Sequence, residues 1–162
     1  MLNKSKNSQK IVVLDNIRSV FNVGSIFRTC DAVGIDKIYL CGLTPCPIDR
    51  FGRARADFAK VSLGAEKIID WEYTENTDIL LQKLKKEGFT IIAVEQTKNS
   101  VDYKKIVAPN KAVFVFGNEV EGVLEDTLGF CDVITDISMK GKKESLNVAV
   151  SAGIVLFRLL DN

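Results

Sequence analysis

The stretch IVVLDNIRSVFNVGSIFRTCDAVGIDKIYLCG, residues 11–42, decides the fold class. It opens on IVVLD (11–15), a short apolar run rich in β-branched residues, which reads as a buried strand. In NVGSIFRTCDAVG (22–34), Ile26, Phe27, Cys30 and Val33 repeat at helical spacing. Asn22 or Ser25 is the candidate cap, and Gly34 ends the helix. KIYLCG (37–42) is a second strand. A strand, a helix and a strand in this order belong to an α/β domain with a mostly parallel sheet covered on both faces.

The same alternation continues outward. KIID (67–70), TIIAVEQ (90–96), KAVFVFG (111–117) and DVITDI (132–137) read as four further strands, making six. DILLQKLKKEG (78–88) is an amphipathic helix and VLEDTLGF (123–130) a short one. SLNVAVSAGIVLFRLL (145–160) is a final helix with too few polar positions for one face in water. Segment 43–60 carries Arg50, Arg53 and Arg55 and reads as a loop leading into a short helix. Residues 1–10, with three lysines and no acid, read as a flexible basic tail, leaving 11–162 as one domain.

Composition narrows the chemistry. Across 162 residues, 22 Lys+Arg offset 21 Asp+Glu, so bulk charge does not mark a nucleic-acid binder, though a local basic patch fits the same sum. Histidine is absent. That removes Ser-His-Asp and Cys-His catalysis, His-ligated zinc and an imidazole proton shuttle. Cys30, Cys41, Cys46 and Cys131 have no Cys-x-x-Cys spacing. They read as reduced, mostly buried thiols of a cytoplasmic protein with no metal. No apolar run approaches the roughly eighteen residues of a membrane span, and MLNKSKNSQK lacks the features of a signal peptide.

In a parallel sheet the ligand crevice lies beyond the carboxyl ends of the strands, which singles out three loops. In the first, Arg28 sits mid-helix behind Asn16, Arg18 and Asn22. It either pairs with an acid such as Asp31 or presents its fork of donors to a carboxylate or phosphate. In the second, FGNEVEG (116–122), Gly117 and Gly122 suit either a tight turn or a close approach of backbone to ligand. No phosphate-loop or dinucleotide glycine pattern is present. In the third, ISMKGKKESLNVAVSAG (137–153), Lys140, Lys142 and Lys143 surround Gly141. Ser145 is a plausible N-cap, and Asn147 in the first turn would be a buried amide in need of partners. That describes either a ligand-binding network or a capped core helix behind a solvated basic loop.

Together the three segments resemble the SpoU/TrmH-type RNA ribose 2′-O-methyltransferases of the SPOUT superfamily. The motif positions are Asn22 and Arg28; Gly117, Glu119 and Gly122; and Met139, Gly141, Ser145, Leu146 and Asn147, in the family's order over residues 22–153. One departure stands out: Ser138 replaces the usual proline of the third motif, which loosens that loop's backbone. The resemblance implies a deep C-terminal trefoil knot, a pocket for S-adenosylmethionine and a homodimer whose interface completes the active site. It implies Val94, Gly117, Ile137, Met139, Ser145 and Leu146 around the cofactor, and Asn22, Arg28, Glu119, Ser145 and Asn147 at the reacting centre.

In this family Arg28 would activate the 2′-hydroxyl. A guanidinium surrenders its proton only above about pH 12, so a clamp on the neighbouring phosphate is the competing role. Arg50, Arg53, Arg55, Lys140, Lys142 and Lys143 would face RNA. Many members carry an added N-terminal RNA-binding domain, whereas only a short tail precedes the first strand here. The expected substrate is therefore tRNA, with rRNA as the alternative. A non-catalytic RNA- or nucleotide-binding module is the reading from a different class.

Overall fold

A strand covered on both faces must be apolar on both, and the two side-chain sets then face two different cores. That is how β1 (Gln9–Asp15) behaves in the computed structural model, which describes residues 8–161. Val12 and Leu14 join one buried cluster with Ile38, Leu40, Ile92, Phe114 and Phe116. Ile11 and Val13 join another with Tyr39, Cys41, Ile91, Val113 and Val115.

The first cluster is covered by α1 (Val20–Val33), α2 (Ala56–Ser62) and α5 (Val148–Leu160). Phe27 of α1 meets Phe58 of α2 edge to face, with ring centroids 5.4 Å apart. The second cluster is covered by α3 (Thr77–Lys86) through Leu80, Leu81 and Leu84. The short α4 (Glu125–Leu128) hangs on α3, where Thr127 donates to Asp78 at 2.9 Å.

Seven strands, not six, form the sheet, in the order β3-β2-β1-β6-β4-β7-β5 with every pair parallel. They are β2 (Lys37–Cys41), β3 (Asp70–Thr74), β4 (Thr90–Val94), β5 (Val101–Asp102), β6 (Lys111–Phe116) and β7 (Val133–Asp136), besides β1. The two edge strands are the ones the apolar pattern misreads. KIID (67–70), expected as a strand, instead leaves a 3-10 turn over Ala65–Lys67, passes through exposed Ile68 and only at Asp70 enters β3, the polar DWEYT. An edge strand carries charge that blocks pairing with other chains, and Lys37 closes on Asp70 and Glu72 at 3.4 and 2.8 Å. At the other edge, β5 is two residues long and leaves no run to detect.

Helix boundaries shift for local reasons. Ser19, rather than Asn22 or Ser25, caps α1 by accepting from the Asn22 amide at 3.2 Å, while Gly34 closes it with φ 73° as expected. Asn147, rather than Ser145, caps α5: its Oδ1 accepts from the amides of Ala149 and Val150. Asn147 is therefore exposed at the helix mouth and not a buried amide of the first turn. Strand β1 starts at Gln9, inside the segment expected as tail, and residues 1–7 lie outside the described residues.

All four cysteines are free, but only Cys30 and Cys41 are buried. Burial pushes both thiols up, Cys41 to about 12, and burial with the neighbouring Asp132 carboxylate pushes Cys131 up to about 12. Thiolates are the reactive species. An aromatic-disulfide titration at neutral pH should therefore leave Cys30 and Cys41 unmodified in the native protein while the unfolded chain reacts at all four. Fast native modification of either would contradict this burial.

Candidate active site

The loop after β6 is built so that its backbone folds onto itself. Asn118 and Gly122 exchange backbone hydrogen bonds at 3.1 and 2.9 Å. The Asn118 side chain accepts from the amides of Val120 and Glu121 and donates to the Asn16 carbonyl at 2.8 Å. A Cβ on Gly117 would overlap the backbone of Gly122 and Val123; one on Gly122, whose φ is 69°, would overlap the Glu95 carboxylate. Both glycines are thus demanded by contact within the loop, as a tight turn of FGNEVEG requires. Glu95 uses its carboxylate to hold this loop from β4, accepting from the Val123 amide at 2.8 Å.

The loop presents Glu119 to the start of α1. Its carboxylate accepts from the backbone amides of Arg18 and Ser19, each at 3.1 Å, and from Asn22 Nδ2 at 3.0 Å. Partial burial opposes the charge, but these donors outweigh it and hold the Glu119 carboxyl below its ordinary range. Asn22 Oδ1 accepts from Asn147 Nδ2 at 3.1 Å. A relay of Glu119, Asn22 and Asn147 therefore joins the β6 loop, α1 and α5, with sequence separations of 97 and 125. Asn16, in the left-handed region at φ 55°, anchors the first loop by accepting from the Leu43 amide at 3.0 Å.

Beyond the ends of β4, β6 and β7 lies a cavity of about 610 Å³, within the range of small-molecule sites. Val94, Gly117, Ile137, Met139, Ser145 and Leu146 line it, as do Glu119 and Asn147. Asn22 reaches it only through the relay. Glu95, Glu121, Asp136 and Glu144 also line it, and among the described residues no lysine or arginine does.

Arg28 lies elsewhere. It is exposed on the outer face of α1, two turns beyond the exposed Phe21, and makes no hydrogen bond or ion pair to a described residue, Asp31 included. Lys140, Lys142 and Lys143 are exposed on the loop between Met139 and Glu144. Arg53 and Arg55 are engaged by Asp49 and Asp57. No hydrogen bond or ion pair joins these two basic groups among the described residues. Asn16 and Asn118 lie in loops the sequence singles out, but the motif reading assigns them no part in building the site, and Glu95 is not singled out at all. An asparagine just after a strand, where left-handed backbone is tolerated, was the available signal for Asn16.

A family model described as the SpoU rRNA Methylase family matches residues 9–157. The chain belongs to this family. Among relatives of this SpoU-family chain is the tRNA (guanosine(18)-2′-O)-methyltransferase of Aquifex aeolicus, 32% identical over 158 residues, covering 95% of this chain and 70% of that protein. A second is the 23S rRNA (guanosine-2′-O-)-methyltransferase RlmB of Neisseria meningitidis, 34% identical, covering 90% of this chain but 56% of that protein. An AdoMet-bound rRNA methyltransferase from Sinorhizobium meliloti superposes with a TM-score of 0.83 at 27% identity, over 94% of this chain and 56% of that one. The chain thus spans little more than half the length of several relatives.

Proposed function

We propose that this chain transfers the methyl group of S-adenosylmethionine to a ribose 2′-hydroxyl of RNA, and that tRNA is its substrate. The observation that carries the reading is that all six residues implied for the cofactor line one cavity, with the Glu119–Asn22–Asn147 relay at its edge. Its walls suit that cofactor. Apolar Val94, Ile137 and Leu146 offer surface to an adenine, and a lining with carboxylates but, among the described residues, no basic side chain favours a cationic ligand over a phosphate.

The cofactor supplies an electrophilic methyl on a sulfonium, so the protein's task is to bind, orient and manage one proton. Positioning a weak ribose nucleophile in line contributes much of the rate. Ser145 and Asn147, at the cavity mouth, are the groups within reach of an incoming ribose. The tRNA preference follows the relative of which this chain covers 70%.

A second copy of the chain completes the site in this reading. Phe21, Leu146, Val150 and Phe157 are exposed by 69, 37, 50 and 44% on α1, α5 and the approach to α5. The Asn22–Asn147 bond holds the N-terminal ends of these two helices together. Covering that face would enclose Arg28, whose fork then meets substrate phosphate or hydroxyl. Substituting Arg28→Lys should lower methyl transfer about a hundredfold with unchanged cofactor affinity, because lysine cannot reproduce a bidentate fork. Substantial retained activity would remove Arg28 from both roles.

Isothermal titration with S-adenosylmethionine, then transfer of labelled methyl to total tRNA and rRNA with nucleoside mapping, tests the whole reading. Binding and a 2′-O-methylnucleoside in tRNA are expected. The mark in rRNA alone would overturn the substrate class, and no binding would overturn the enzyme.

A further inference from the structure

The loop after β2 carries a feature that the cavity does not use. Ile48 and Ala54 pair as an antiparallel bridge, and the Arg55 amide donates to the Pro47 carbonyl at 2.9 Å. Between them Asp49 ties the tip together. Its carboxylate accepts from the amides of Phe51 and Arg53 at 2.8 and 3.0 Å and from Arg53 Nε at 2.8 Å. The Gly52 amide donates to the Asp49 carbonyl at 2.9 Å.

The outcome is a rigid hairpin holding Phe51 at its tip, 67% exposed. The guanidinium carbons of Arg50 and Arg53 lie 4.8 and 5.1 Å from the ring centroid. Arg53 is paired with Asp49, whereas Arg50 has no carboxylate partner among the described residues. Residues 43–57 hold three arginines against two acids, Asp49 and Asp57, which pair with Arg53 and Arg55.

We propose that Phe51 is a stacking platform for an unpaired nucleobase of the RNA substrate, with Arg50 as the movable guanidinium that turns to the adjoining phosphate. The inference rests on the RNA reading above. Three observations support it. An exposed aromatic ring with two guanidiniums close by offers what single-stranded RNA recognition requires: once Arg50 swings aside, a π face for a base and a cation for the phosphate beside it. The net positive charge of the hairpin opposes a basic partner and matches a polyanion. The root of the hairpin is tied to the catalytic edge. Buried Thr44 donates to the Leu14 carbonyl at 2.9 Å and accepts from the Ile17 amide at 3.1 Å, on the loop whose Arg18 and Ser19 amides hold Glu119. The root of the hairpin is therefore fixed at the carboxyl end of β1, against the loop that holds Glu119.

The test compares the wild-type chain with Phe51→Leu, Phe51→Trp and Arg50→Ala. Affinity for bulk tRNA and for a single-stranded RNA bearing 2-aminopurine is measured across a salt series. Leucine keeps apolar volume and loses the π face, so affinity should fall about tenfold with an unchanged salt slope and unchanged S-adenosylmethionine titration. Tryptophan should restore it, and the quenching of 2-aminopurine on binding should vanish only in the leucine variant. Arg50→Ala should reduce the salt slope by about one. If Phe51→Leu binds RNA like wild type, the ring serves another kind of partner and the platform is refuted, while methylation by the wild-type chain stands. Phe51-dependent RNA binding without methyl transfer would keep the platform and overturn the enzyme.

Discussion

Gly117→Ala should lower the melting temperature by about 10 °C and abolish measurable S-adenosylmethionine binding. The added methyl group meets backbone, not the end of a flexible side chain: the Gly122 carbonyl and the Val123 amide occupy its place. No rotamer change relieves such a clash. The loop must open, which breaks the paired hydrogen bonds between Asn118 and Gly122 and releases Val123 from Glu95. Overpacking of this kind costs about 3 kcal/mol, and for a chain of this size each kcal/mol is worth about 2–4 °C. Binding suffers more than stability, because Gly117, Asn118, Glu119 and Gly122 all line the cavity. Gly141→Ala is the control: its Cβ meets nothing within 4 Å and its φ is not in the left-handed region, so the melting temperature should not fall. Calorimetry and titration on the two variants decide the matter. A Gly117→Ala protein that melts and binds like wild type would mean that the loop is not held by this contact.

How far the molecule was legible beforehand depends on what each element packs against. IVVLD and KAVFVFG are buried on both faces, so continuous apolar runs reveal them. DWEYT is an edge strand, and its charges hide it from the same test. Two-residue β5 is defined by pairing with β7 alone. At α5 the apolar Leu146 extends the hydrophobic pattern past the true start, whereas the cap is set by where Asn147 turns its side chain onto two amides.

The candidate site divides along similar lines. Asn147 stands out as an amide in an otherwise apolar helix, and Glu119 and Asn22 stand out as motif positions beyond strand ends. What fixes Glu119, however, is a pair of backbone amides at Arg18 and Ser19, which every sequence possesses. Their convergence needs the left-handed turn at Asn16 and the Asn118 side chain that grips it. Long-range geometry of that kind has no signature in residue type or spacing.

Removing the Glu119 carboxylate should have the largest effect on chemistry: Glu119→Ala is expected to reduce methyl transfer at least about a hundredfold. Four donors depend on this relay: the Arg18 and Ser19 amides and Asn22 Nδ2 on Glu119, and Asn147 Nδ2 on Asn22. Without the acceptor, Asn22 is free to turn its amide and Asn147 loses its orientation at the cavity. Asn22→Ala should do nearly the same damage, and the double variant little more than either single one, because the residues act as one unit.

Glu119→Gln separates charge from shape. The glutamine amide nitrogen must face a backbone N–H or Asn22 Nδ2, donor against donor, so the variant should lose about 1–2 kcal/mol of stability at neutral pH, the exposed setting screening the rest. The sign of the pH dependence follows from the carboxyl held below its ordinary range. Its contribution is complete above the unfolded-state value and fades as pH falls through the lower folded-state value. The melting-temperature gap between wild type and Glu119→Gln should therefore be widest near neutrality and close on acidification. A gap that stays constant or widens as the solution is acidified would mean that the carboxylate is not held by these donors.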